Sequence, residues 1–200
     1  MTDTRYPAIL LFGAPGVGKG TQGRVLDAVL GFHHVSSGDI FRALHPESPE
    51  GREAAEYSTR GELVPDELTI RIFNAVVPEM ISRGEYSPDA GILVLDGIPR
   101  TVRQAEILDD TVDVLAVLHL DFSDENVMIE RMKRRAEQQN RPDDADETTI
   151  RRRFEVYRRE TEPVLAHFPS SRVHRINAGA SPLRVARDLL DALVPVVEDR

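Results

Sequence analysis

Residues 13–22 read GAPGVGKGTQ, and the fold turns on how they are read. Gly13, Gly18 and Lys19 fit the phosphate-cradling pattern G-x-x-x-x-G-K-[ST] everywhere except its last position. There the pattern places a hydroxyl for a metal ion, whereas this chain has Gly20, with Thr21 one residue late. The aliphatic run AILLF (8–12) precedes the stretch, and GKGTQGRVLDAVL, a helical pattern closed by Gly31, follows it. Gly13, Gly16, Gly18 and Gly20 let backbone N–H groups approach an anion, and the helix N-terminus adds a favourable dipole. A glycine-rich tight turn without a ligand is the plainer reading. It does not account for strand, loop, lysine and helix arriving together.

That lysine is unusual in this chain. Of the 25 basic residues only Lys19 and Lys133 are lysines; the rest are arginines. A sequence that uses Arg nearly everywhere keeps a compact ammonium where phosphates would sit.

Outward from the loop, ILVL (92–95), VLAVLHL (114–120), RVHRI (172–176) and the short HHV (33–35) read as further buried strands. Pro65 opens PDELTIRIFNAVVPEMISRG, which closes on Gly84. Ser123, with Asp124 and Glu125, starts SDENVMIERMKRRAEQQ, and Ser181 before Pro182 opens the last helix. Strands alternating with helices predict a three-layer α/β fold on a five-stranded parallel sheet, with ligands at the carboxyl ends of its strands. Segments 36–64 and 136–153 are polar and poor in aliphatic residues, and stand apart from a core of 1–35, 65–135 and 154–200.

Two hundred residues, 40% hydrophobic and 30% charged, suit a single globular domain. No apolar run nears the ~18 residues of a membrane span. MTDTRYPAIL lacks a signal-peptide layout, and Cys is absent. The expectation is a cytoplasmic protein, not membrane-bound, with neither disulfides nor cysteine-ligated zinc. A net charge of −9 argues against a nucleic-acid partner. Residues 131–159 depart from it, with ten basic against six acidic side chains. A local basic island on an acidic chain suits a small anionic ligand.

Several motifs together resemble one family, the adenylate kinases among the nucleoside monophosphate kinases, over nearly the whole chain. GAPGVGKGTQ is similar to that family's own form of the loop, in which Gly-Thr follows the lysine. SSGDIFR (36–42) resembles S-T-G-D-x-x-R, with Ser37 for Thr, and RGELVPDELTI (60–70) looks like the segment lining the acceptor base. DGIPRTVRQAE (96–106) resembles D-G-[FY]-P-R-x-x-x-Q, with Ile98 for the aromatic. ERMKRR (130–135) resembles the donor-side arginines, and RPDD (141–144) with IRRRFEVYRRETEPVL (150–165) resembles the lid and the helix leaving it.

The resemblance implies a P-loop kinase fold with a small NMP-binding segment (36–64) and a short lid (136–153). The implied reaction is ATP + AMP ⇌ 2 ADP, carried out by a monomer. ATP contacts are implied for Gly13, Ala14, Pro15, Gly16, Val17, Gly18, Lys19, Gly20, Thr21, Arg131, Arg135 and Gly179. AMP contacts are implied for Ser37, Arg42, Gly61, Leu63, Val64, Gly97, Arg100, Gln104, Arg141 and Arg153. Of these, Lys19, Arg100, Arg135, Arg141 and Arg153 form the catalytic set. In the family Mg²⁺ is held mainly by phosphates and waters, so no hydroxyl is required at position 20, and Asp96 would orient the metal's waters. Only five residues separate Arg135 from Arg141, which resembles the short-lid form without zinc.

Some readings stay open. Counted from Arg141 the lid arginine is Arg152; counted back from T-E-P it is Arg153, preferred because a loop absorbs a slip more readily than a helix. Gln104 either reads the base or closes a capping box with Thr101. Asp143 and Asp144 can be ordinary helix-start acids, and His33 and His34 read as core or surface. The rival functions are a CMP or UMP kinase on the same scaffold and a slowly hydrolysing switch ATPase. Arg42, Arg100 and Gln104, a full acceptor set, speak against the switch. The chemistry itself asks for positioning and charge, not for a general base, because an acceptor phosphate is already ionised.

Overall fold

Three aliphatic runs are buried on both faces, and with two more polar edge segments they make one parallel sheet. The computed structural model describes residues 5–29, 31–139, 141, 144 and 146–198. In it β1 (Tyr6–Phe12), β2 (Phe32–Ser36), β3 (Ile92–Asp96), β4 (Val112–Asp121) and β5 (Val173–Asn177) lie in the order β2-β3-β1-β4-β5. Central β1 pairs Leu10 with Leu95 of β3 and with Val117 of β4. The same register sets Asp96 beside Leu11, so the last residue of β3 arrives where the glycine loop begins.

Alternate strand residues face two helical layers. Ile9, Leu11, Val94, Leu118 and Leu120 meet Leu26 of α1 (Lys19–Asp27), and Met128 and Met132 of the helix Glu125–Gln139. The same cluster takes in Ile150 and Phe154 from Glu147–Val156, and Leu189 from Pro182–Glu198. On the other face Leu10, Phe12, Leu93 and Leu95 meet Ile70, Phe73 and Val77 of Asp66–Ser82, and Leu108 of Val102–Leu108. With Ser37–Ala43 as α2 and Pro49–Thr59 as α3, these helices are α4 (66–82), α5 (102–108), α6 (125–139), α7 (147–156) and α8 (182–198) in chain order.

Element boundaries depart from the sequence reading where a side chain found a competing partner. Helix α1 ends at Asp27 and not at Gly31, because the Asp27 carboxylate accepts from the His34 N–H at 2.7 Å and starts β2. Asp124, not Ser123, accepts from the Val127 N–H at 3.2 Å at the start of α6. Asp146 caps α7 by accepting from the Thr149 N–H at 2.7 Å. Beyond Val156 the helix widens into a π turn (Tyr157–Thr161) and then tightens into a 3-10 segment (Glu162–His167). Pro163 accounts for the change, since it has no N–H and its ring crowds the carbonyl four residues back. Of RPDD, Pro142 and Asp143 lie outside the described residues.

Candidate active site

Gly13 leaves β1 with φ 142°, and a Cβ there would stand 2.6 Å from the Leu120 carbonyl oxygen. Gly18 caps α1 in the left-handed region, φ 113°. Both positions require glycine. Val17 is buried in the core and anchors the loop from below. The loop then curls around its own lysine: Lys19 Nζ donates to the carbonyls of Gly13 (2.6 Å) and Ala14 (3.1 Å). Burial of the ammonium lowers its pKa from 10.5 to about 8; Arg100, Arg153 and Arg135 push the same way, and Asp96 opposes them. A cation so placed gains most when a polyanion arrives.

Asp96 ends β3, with its Oδ2 3.6 Å from His34 Nε2. That separation is too long for a hydrogen bond. Burial alone would raise the Asp96 pKa, but His34, Lys19 and Arg100 outweigh it and hold the carboxyl below the usual carboxylate range. A Cβ at Gly20 would lie 3.5 Å from Asp96 Oδ2. The hydroxyl missing from the loop motif would therefore have faced this carboxylate, and glycine leaves that space open. Among the described residues no group of three or more His, Cys, Asp or Glu is arranged to hold a metal ion. One ionised carboxylate beside a phosphate loop fits Mg²⁺ that keeps most of its waters, and does not fit a closed protein cage.

A cavity of about 490 Å³ opens at the same strand ends. Its walls include Gly13, Pro15 and Lys19 from the loop, and Arg42, Gly61, Leu63, Val64, Gly97, Arg100, Gln104 and Arg153 from the expected acceptor set. Arg100 Nε donates to the Gly97 carbonyl at 2.9 Å, and the Ser37 hydroxyl donates to the same oxygen at 2.8 Å. Ser37 is buried and sits behind the wall, acting through that carbonyl. Thr101 caps α5 by accepting from the Gln104 N–H at 3.1 Å, while the Gln104 side chain itself accepts from the Arg100 N–H at 2.7 Å. Capping and lining the cavity are thus divided between the backbone and the side chain of one residue.

Two aspartates to which the sequence reading gave no part in the site gather the arginines. Asp39 bonds Arg42 at 2.6 Å and lies 3.4 Å from Arg141, joining α2 to the lid. Burial opposes its ionisation, yet Arg42 and Arg141 hold its pKa below the ordinary value. Asp144 is fully buried and bridges Arg135 Nε (2.8 Å) and Arg153. It is no ordinary helix-start acid; that place belongs to Asp146. Arg152 points elsewhere, to Glu62 at 3.5 Å and Glu155 at 4.0 Å, and does not line the cavity. Nothing local in the sequence signals the long-range partners Asp39 and Asp144.

The remaining donor residues lie off the cavity. Arg131 stacks over the Phe122 ring at 5.2 Å, and a Cβ at Gly179 would come within 3.0 Å of that ring. Phe122 and Gly179 follow β4 and β5, so these three form a platform at the same end of the sheet as the loop. Ala14, Gly16, Val17, Gly18, Gly20 and Thr21 belong to the loop itself and not to the cavity wall.

A family model described as adenylate kinase matches residues 11–173. An adenylate kinase from Synechococcus sp. is 37% identical over 195 residues, covering 94% of this chain and 96% of that protein. The chain belongs to the adenylate kinase family. Adenylate kinases from Nocardia farcinica and Thermobifida fusca are each 43% identical over 166 residues, covering 80% of this chain and 84% and 83% of theirs.

Two consequences for an adenylate kinase can be measured. Because the Lys19 pKa is lowered from 10.5 to about 8, the unfolded chain binds a proton that the folded one lacks between those values. The Lys19 contribution to stability therefore improves as pH rises through that window, while its charge is lost. In the free enzyme kcat/KM for ATP should fall above about pH 8. In the nucleotide complex the phosphates restore the charge, so kcat should hold to higher pH. Parallel loss of both parameters would contradict the assignment. Asp144→Ala releases Arg135 and Arg153 together. It should cost about 2–4 kcal/mol of stability in urea unfolding, and about 10²-fold in kcat through misplaced cations.

Proposed function

We propose that this protein transfers the terminal phosphoryl group of ATP to AMP, reversibly, giving two ADP, with ATP phosphates in the glycine loop and AMP in the cavity. Membership of the adenylate kinase family carries the reaction. One observation supports the division of labour: a single cavity is lined both by Lys19 of the donor loop and by Arg42, Arg100 and Gln104 of the acceptor set. Donor and acceptor phosphates would meet among the same cations.

In this reading Lys19 holds the donor's terminal phosphates, and Arg42 and Arg100 grip the phosphate of AMP. Arg135, Arg141 and Arg153 spread the charge of the group in transfer, a purely electrostatic service that needs no protein base. Gln104 reads the adenine edge against an apolar wall of Gly61, Leu63 and Val64. Arg131, with Phe122 and Gly179, receives the donor base. Mg²⁺ arriving with ATP would neutralise phosphate charge, and Asp96 would hold its waters.

Described residues of segments 36–64 and 136–153 meet beside the cavity: Arg141 lies 3.4 Å from Asp39, and Arg152 3.5 Å from Glu62. We read them as flaps that close on both substrates and keep water from acting as the acceptor. A cytoplasmic monomer with a short lid that binds no zinc completes the proposal.

The test is kcat/KM for AMP, CMP, UMP and GMP with ATP as donor, in the wild type and in Gln104→Ala. AMP should lead, and Gln104→Ala should compress its lead by about tenfold or more. CMP or UMP ahead of AMP would move the acceptor to the pyrimidine class.

A further inference from the structure

Gln104 is held by more partners than reading a base requires. Its Oε1 accepts from the Arg100 N–H at 2.7 Å, and its Nε2 donates to Asp66 Oδ1 at 2.8 Å, 38 residues away in sequence. The other Asp66 oxygen accepts from the Thr101 hydroxyl at 3.1 Å, and Thr101 accepts from the Gln104 N–H at 3.1 Å. Asp66 opens α4, where the helix dipole favours a carboxylate. Gln104 is 1% exposed yet lines the cavity.

A primary amide can turn over about its last bond and exchange oxygen for nitrogen with little change of shape. Here both partners forbid the exchange. A backbone N–H only donates, so it must face oxygen; a carboxylate only accepts, so it must face nitrogen. Turned over, the amide would set N–H against N–H and oxygen against oxygen, leaving buried groups unpaired. One N–H of Nε2 and one lone pair of Oε1 remain for a ligand, in a fixed order.

We infer that Asp66 is a specificity-determining residue for the acceptor base: with the Arg100 N–H it fixes which end of Gln104 is nitrogen, and so strengthens the selection of a 6-aminopurine over a 6-oxopurine. This rests on Gln104 meeting the base, as proposed above. Adenine shows an acceptor at N1 beside a donor at N6, whereas hypoxanthine and guanine show a donor at N1 beside an acceptor at O6. The two edges have nearly the same shape and the opposite hydrogen-bond order. An amide free to turn fits either, and a locked amide fits one. Asp66 does not touch the base in this scheme; it acts through Gln104 as a positioning residue.

The experiment compares kcat/KM for AMP and inosine monophosphate, with ATP as donor, in wild type, Asp66→Asn, Asp66→Ala and Gln104→Ala. The ratio of two acceptors within one preparation does not depend on the fraction of protein that is folded. Asn at position 66 keeps the shape but accepts or donates, so it removes one of the two constraints on the amide and leaves the one set by the Arg100 N–H. The AMP preference should fall about tenfold in Asp66→Asn, as one of the two unpaired contacts of the turned amide is relieved while the one at the Arg100 N–H stays. It should fall mainly through the KM values of the two acceptors, with KM for ATP unchanged. A merely structural role would weaken both acceptors together and leave their ratio alone. A ratio unchanged in both Asp66 variants but collapsed in Gln104→Ala overturns the inference and leaves base reading by Gln104 intact. A ratio unchanged in all three overturns the base reading and the inference with it.

Discussion

Repulsion among cations is the constraint on which this site depends. Lys19, Arg100, Arg135 and Arg153 are close enough that the three arginines depress the lysine's pKa, and Arg42 and Arg141 stand one aspartate away. Two unit charges 4 Å apart repel by roughly 4 kcal/mol at an effective dielectric constant near 20. Left alone, such side chains would splay into water. Asp39, Asp96 and Asp144 prevent it, each from a different part of the chain: α2, the end of β3 and the lid. Burial is the first cause of the lowered Lys19 pKa and the three arginines add to it, so a polyanionic ligand would favour the charged lysine. Binding of nucleotide and consolidation of the site are therefore the same electrostatic event.

The sheet makes that balance possible by register. Pairing Leu11 with Asp96 brings a carboxylate to the mouth of the glycine loop without any flexible connection. Aliphatic residues on both faces fix that register, because a one-residue slip would turn buried side chains to the wrong layer. Gly20 then has a physical sense: the motif's usual hydroxyl is replaced by open space beside Asp96, which suits a hydrated metal better than a direct protein ligand.

Much of this was legible in the sequence, because it rests on local patterns. Four apolar runs and the short HHV became the five strands, and the lysine between glycines marked the loop at the end of the first. The counting ambiguity between Arg152 and Arg153 could be posed from sequence but not settled there; in the structure Arg153 turns to Asp144 and the cavity, Arg152 to Glu62. What stayed hidden were partnerships across long separations. Asp66 locks Gln104 from 38 residues away, Asp39 reaches Arg141 over 102, and His34 meets Asp96 only through the pairing of β2 with β3. Pro163 is visible in the sequence, but its consequence, a π turn and not a break, depends on the packing of α7 against the core.

The central claim is that the clustered cations serve transfer between two bound phosphates and not hydrolysis. Its most direct test is ATP turnover with Mg²⁺ in the presence and absence of AMP, followed by the stoichiometry of ADP and inorganic phosphate. The account requires two ADP per AMP consumed, with negligible phosphate release and almost no turnover when AMP is withheld. Release of inorganic phosphate from ATP at a comparable rate without AMP would contradict it.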